Sequence, residues 1–145
     1  MNKIISKEQF SEKVFKLEIE APLIAKSRRA GHFVIVRVDE KGERMPLTIA
    51  GSDLEKGTIT LVVQTVGLSS TKLCNLNEGD YVLDVVGPLG QATHIQNYGT
   101  VVCAGGGVGV APMLPIIQAL KAAGNRVISV LAGRSKDLII LENEV

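Results

Sequence analysis

Residues 105–112 read Gly-Gly-Gly-Val-Gly-Val-Ala-Pro, and the segments flanking them are apolar on both sides. Before them, Thr100–Ala104 is an uninterrupted apolar strand candidate, the pattern of a strand covered by helices on both faces. After them, Ala111–Ala123 has the composition of a buried helix. Pro112 is acceptable in its first turn and Gly124 stands at its C-terminal end. Arg126–Ala132 is a second apolar strand. Strand, glycine turn, helix and strand make one βαβ unit of a doubly wound sheet. A turn in that context is suited to phosphate, because glycines let backbone approach a ligand and a helix N-terminus offers free N–H groups. The other reading is a plain strand-to-helix turn. No Lys-Ser/Thr follows, so this is not a Walker loop, and Pro112 stands where a third fingerprint glycine would be.

The residues before position 90 follow a different period. Ile4–Gln9, Val14–Ile19, His32–Val38, Arg44–Ala50, Thr58–Val66 and Asp80–Val86 read as six strands. Asp39–Glu43 gives the turn of a hairpin, with Gly42 available for a positive φ. Leu68–Leu76 reads as a short helix that opens on hydroxyl residues. Six strands joined mostly by short turns predict a closed antiparallel barrel. The expected architecture is therefore a β barrel over residues 1–93, then an incomplete α/β unit over residues 94–145. Only 47 residues run from Gly99 to Val145. A whole dinucleotide-binding sheet takes ~120 residues, so the second unit reads as the first third of a domain, with Asp137–Val145 opening another helix. Its uncovered strands predict self-association through residues 100–145, or poor order there.

Composition removes several classes of function. A net charge of +1 over 145 residues argues against a nucleic-acid partner. An apolar share of 46% excludes a disordered chain. Cys74 and Cys103 are the only cysteines, too few for a four-cysteine cluster, and both read as core residues. His32 and His94 have no ligand-spaced companions, so no metal site is expected. No Asp, Glu, Lys or Arg occurs between Asp84 and Lys121, but glycines, prolines and amides interrupt that stretch. It does not read as a membrane span. The N-terminus does not read as a signal peptide, and a cytoplasmic location is expected. Lys26, Arg28 and Arg29 read as a solvated basic surface.

Two further motifs carry possible chemistry. In Arg44-Met45-Pro46-Leu47-Thr48, Arg44 is able to clamp a phosphate, Pro46 interrupts ladder pairing, and Thr48 offers a hydroxyl. An irregular edge strand with an exposed Arg explains the same residues. In Gly67-Leu68-Ser69-Ser70-Thr71, a strand ends and hydroxyls open a helix, which serves an anion or an ordinary N-cap equally well.

In order and spacing, Arg44-x-Pro46-Leu47-Thr48, Gly67-x-Ser69-Ser70-Thr71, Gly87-Pro88-Leu89-Gly90 and Gly105–Pro112 resemble the motifs of the ferredoxin–NADP reductase superfamily. The resemblance covers essentially the whole chain. It implies a Greek-key flavin barrel in which Arg44, Pro46, Leu47 and Thr48 line the isoalloxazine and ribityl chain of FAD. It implies that Val63, Gln64 and Thr65 contact the flavin and its adenosine side, and that Gly67, Ser69, Ser70 and Thr71 bind the FAD pyrophosphate. Gly105, Gly106, Gly107, Val108, Gly109 and Pro112 would receive NAD(P)H, with Arg134 near its adenosine ribose. No catalytic side chain is implied, because the flavin carries the chemistry. The implied activity is electron transfer between NAD(P)H and a ferredoxin or iron–sulfur carrier. A [2Fe-2S] cluster would lie in a C-terminal part that follows these residues or in a partner, and a larger flavin or iron–sulfur subunit would be the partner. The alternatives are an electron-transfer subunit of dihydroorotate dehydrogenase, or a docking module without independent turnover.

Overall fold

The computed structural model describes residues 1–145. Alternating side chains build the first sheet. Strands β1 (Asn2–Gln9), β2 (Val14–Glu20), β3 (Phe33–Arg37), β4 (Arg44–Asp53) and β5 (Thr58–Gln64) are all antiparallel to their neighbours. Helix α1 (Pro22–Ser27) lies between β2 and β3, and helix α2 (Leu68–Cys74) follows β5. Two short strands, β6 (Tyr81–Val82) and β7 (Asp84–Leu89), complete a sheet of order β6-β1-β2-β5-β4-β3-β7. The inward-facing residues of these strands are fully buried, with Ile4, Leu17, Val34, Val36, Ile59, Leu61 and Val82 at 0% exposure. Burying one such side chain contributes about 1.5–3 kcal/mol, so this core holds the barrel without disulfides.

The expected sixth strand, Asp80–Val86, divides at Leu83. Val82 pairs with Asn2 and Asp84 pairs with Arg37, so the two halves lie at opposite edges of the sheet order. The Leu83 N–H donates to the Val38 carbonyl at 3.0 Å, which fixes the corner. The barrel thus closes through a bend within one run of sequence. Gly87, from the Gly87–Gly90 motif, serves this closure: a Cβ there would stand 2.7 Å from Val34 Cγ1.

Helix α1 was not expected. Pro22 occupies its first turn, where a missing N–H costs nothing, and Ile24 and Ala25 join the barrel core. It changes the reading of the basic cluster. Lys26 and Arg29 are exposed, but Arg28 is half-buried and its Nε donates to Ser52 Oγ at 2.8 Å. That desolvation lowers the Arg28 pKa from its ordinary value.

The second unit comprises β8 (Thr100–Gly106), a 3₁₀ turn at Gly107–Gly109, helix α3 (Val110–Ala122) and β9 (Arg126–Ala132), with β8 and β9 parallel. Helix α3 is apolar on most of its circumference because it is buried on two sides. Val110, Ala111, Met113, Ile117 and Leu120 share one core with Ala50 and Val62 of the barrel and with Cys103 of β8. A helix sandwiched this way does not show a single apolar stripe.

Two expectations for this unit change. Strand β8 is covered on one face only, because α3 is the one long helix beside it, and Val102 is 62% exposed. On β9, Ile128 and Val130 extend that exposed face. The expected helix at Asp137–Val145 is instead a 3₁₀ turn at Lys136–Leu138 followed by irregular chain. Leu141 has φ 57°, outside the right-handed helical region, while Ile140 is drawn into the core beside α3.

Candidate functional site

Of the clefts that open where the barrel meets the βαβ unit, two share Gln64 and Val108. The smaller has a volume of about 450 Å³. Its wall is apolar where β4 and β5 contribute Met45, Pro46, Leu47, Val62 and Val63. Its polar edge is supplied by Gln64, Glu43, Ser69 and Ser70 around Gly67. A cleft of this size with an apolar wall and few polar groups suits a flat, amphipathic cofactor. Gly67 leaves its edge open, since a Cβ there would meet nothing within 4 Å.

The β3–β4 turn is tied to this edge. Lys72 of α2 pairs with Asp39, and Ser69 Oγ donates to Glu43 Oε2 at 3.3 Å. The Lys72 hydrogen bond holds the exposed Asp39 carboxyl below its usual pKa.

The sequence candidates divide around this cleft. Pro46, Leu47, Val63, Gln64, Gly67, Ser69 and Ser70 line it. Arg44 and Thr48 do not. Arg44 Nη1 lies 3.4 Å from Asp84 Oδ2, and Thr48 pairs with Phe33 in the β3–β4 ladder. Thr65 is turned to the β1–β2 hairpin, where its N–H donates to the Lys13 carbonyl at 2.8 Å. Ser70 is a cap: its Oγ accepts from the Val66 and Gly67 N–H groups at 2.9 and 3.1 Å and donates to the Gly67 carbonyl at 3.2 Å. The Thr71 N–H closes the first turn of α2 onto the same carbonyl.

The larger cleft, about 730 Å³, lies at the C-terminal ends of β8 and β9. In open α/β sheets that is where ligands bind. Gly106, Gly107, Val108 and Arg134 line it, and Gly105, Gly109 and Pro112 do not. The glycines have separate uses. A Cβ on Gly105 would stand 3.2 Å from the end of Met113, so this residue lets α3 approach β8. Gly107 has φ +56° with open space where its side chain would be, so it shapes the turn facing the cleft. Gly109 is the N-cap of α3, and Pro112 lies in its first turn. The tip of the β1–β2 hairpin, Ser11–Lys13, also lines this cleft. Nothing in the local sequence marks that hairpin, nor Met45 and Val62 of the smaller cleft.

The one hydroxyl–carboxylate hydrogen bond at the smaller cleft is that of Ser69 to Glu43, and no cysteine lines either cleft. Cys74 and Cys103 are buried and unpaired. Burial pushes both thiols up, Cys74 to about 11. No helix is long and apolar enough to cross a membrane.

A barrel with a cofactor-sized cleft at the edge of a parallel βαβ unit defines a class of flavin-dependent oxidoreductase domain. The model of the oxidoreductase FAD-binding domain family matches residues 2–94, and the chain belongs to that family. Over 144 residues it is 46% identical to a dihydroorotate dehydrogenase B (NAD(+)) electron transfer subunit homolog of Thermotoga maritima, spanning 99% of this chain and 51% of that protein. It is 30% identical to the dihydroorotate dehydrogenase B (NAD(+)) electron transfer subunit of Streptococcus pneumoniae, spanning 99% of this chain and 57% of that protein. A solved structure of the NADH-dependent reduced ferredoxin-NADP oxidoreductase, described for flavin-based electron bifurcation, superposes with a TM-score of 0.97 and 46% identity. It covers 100% of this chain and 53% of the other. Phthalate dioxygenase reductase shares the fold, with a TM-score of 0.80 at 24% identity, covering 95% of this chain and 45% of that one. The chain thus spans about half the length of the relatives it matches.

Proposed function

We propose that this chain is the flavin-carrying part of an oxidoreductase subunit that moves electrons between NAD(P)H and a ferredoxin or other iron–sulfur carrier. The observation that carries the reading is the meeting of two clefts at Gln64 and Val108, one sized for a flavin and one at the strand ends where a nucleotide binds. In this reading the chain divides near residue 94 into a flavin barrel and a pyridine-nucleotide unit.

The residues present fit FAD. Pro46, Leu47 and Val63 offer an apolar wall for the ring system, and Gln64 and Ser69 offer polar groups at its edge. Arg44 joins this site if it exchanges its exposed partner Asp84 for the cofactor. When bound, FAD supplies hydride acceptance and single-electron release. The protein's part is to hold the ring wall rigid, to keep water from the apolar side, and to place a nicotinamide at the junction of the clefts. Gly106, Gly107, Val108 and Arg134 are the proposed nucleotide contacts. The [2Fe-2S] carrier belongs to sequence beyond these residues or to a partner.

One of these relatives is named as a dihydroorotate dehydrogenase B electron transfer subunit and another as a homolog of it, which favours a larger dehydrogenase subunit as the partner in a second reading. Identification of the subunit that co-purifies with the native protein separates that reading from the ferredoxin-linked one. Self-association through residues 100–145 rests on the exposed Val102, Ile128 and Val130 face. A cytoplasmic site of action is part of the same proposal.

The deciding experiment is reconstitution with FAD, desalting, and anaerobic addition of NADH or NADPH while the visible flavin band is followed. A retained band that bleaches is expected. Retention without bleaching removes the pyridine-nucleotide half of the reading and leaves a flavin-binding docking module. Loss of the flavin on desalting overturns the cofactor assignment for this chain.

A further inference from the structure

We propose that the β1–β2 hairpin of the barrel is the second wall of the pyridine-nucleotide site, and that Lys13 supplies a cation to the diphosphate of the bound dinucleotide. The proposal rests on the reading of the larger cleft as a nucleotide site and adds a residue from the other lobe to it.

Charge is the first ground. Lys13 and Arg134 are the only cations lining the larger cleft, and neither belongs to an ion pair. Glu12 is the only carboxylate there, so the side chains lining the cleft carry a net positive charge. An anionic ligand suits such a cleft, and two cations held on separate lobes suit one with spaced charges.

Anchoring is the second ground. The Lys13 carbonyl accepts two hydrogen bonds from Thr65, from its N–H at 2.8 Å and from Oγ1 at 3.3 Å. The backbone of Lys13 is thereby fixed to the chain that follows β5, one residue after Gln64. A hairpin tip fixed at that place loses less freedom on engaging a ligand than a loose one.

Open space is the third. Gly107, with φ +56°, exposes its turn to the same cleft, with nothing within 4 Å of a Cβ. A diphosphate lying along that turn has donors from the βαβ unit on one side and the Lys13 ammonium from the barrel on the other. Binding then fastens the two lobes together through the ligand.

The test uses the 145-residue chain reconstituted with FAD and titrated with ADP-ribose, adenosine and NADH. Lys13→Gln is expected to weaken ADP-ribose binding by about tenfold, the effect of one charge-assisted contact. Adenosine binding and the melting temperature stay unchanged, the salt dependence of ADP-ribose binding becomes shallower, and Lys13→Arg restores most of the affinity. Unaltered ADP-ribose binding in Lys13→Gln overturns the proposal while leaving the nucleotide site standing. An equal loss for adenosine and ADP-ribose also overturns it, because the effect is then not on phosphate. If the unsubstituted protein binds neither ADP-ribose nor NADH, the nucleotide reading itself falls and takes this proposal with it.

Discussion

Gly105 and Gly107 show how one residue type serves different physical ends two positions apart. Gly105 yields space to Met113, whereas Gly107 takes a backbone conformation that side chains disfavour. The two substitutions to alanine therefore separate. Gly107→Ala has no clash to relieve, but holding Ala in the left-handed region costs about 1–2 kcal/mol. Gly105→Ala meets the flexible end of Met113 at 3.2 Å, which can shift. Calorimetry is expected to show the lower melting temperature for Gly107→Ala; the reverse order would mean that the turn relaxes freely and that packing against α3 dominates. A run of three glycines announces the turn in sequence, yet it does not say which glycine faces a ligand. The same holds for Ser70. A hydroxyl three residues after Gly67 suits a phosphate or a cap equally, and its hydrogen bonds to Val66 and Gly67, which no local pattern announces, give it capping contacts at the edge of the cleft. Arg28 misled for a related reason: its neighbours Lys26 and Arg29 are solvated, and its bond to Ser52 depends on a strand distant in sequence.

Elements with a strong period were legible, and elements defined by tertiary partners were not. The alternation of Val14–Ile19 predicts a strand because one of its faces is buried, as Leu17 and Ile19 at 0% exposure show. Helix α1 is six residues long, too short for a periodic signal, so Pro22 was its only mark. The division of Asp80–Val86 depends on which strands await at either edge, Asn2 and Arg37, and neither is local. Residues 137–145 fail as a helix because Ile140 is taken by the core beside α3. Helix α3 itself joins the two lobes, with Ile117 at 0% exposure in a core that includes Ala50 and Val62. Ile117→Ala is expected to cost about 2–5 kcal/mol. If the lobes are coupled through α3, reduction of the flavin by NADH slows more than flavin retention falls in this variant. Equal losses would show that α3 supports the barrel alone.

At the scale of the molecule, the sequence order of barrel and βαβ unit was visible, but the shared wall was not. Gln64 and Val108 lie far apart in the chain, and no spacing rule joins them. Because Ala50 and Val62 belong to the same core as α3, the molecule is expected to melt in one transition rather than two. FAD at 100 times its dissociation constant is expected to raise stability by about 2.7 kcal/mol and to shift that single transition whole. Two separated transitions, with only one moving, would refute a common core. The corner at Leu83 has a consequence for biosynthesis. Strand β1 leaves the ribosome well before β6, so Asn2 and Lys3 wait for Val82 and Tyr81 before their outer edge is paired. Until then the nascent chain presents an open strand edge, a template for wrong pairing with neighbouring polypeptides. Closure is a late, non-local event, and topologies of that kind fold slowly. The yield of this protein in a cell is therefore expected to depend on protection of the growing chain as well as on the stability of the finished barrel.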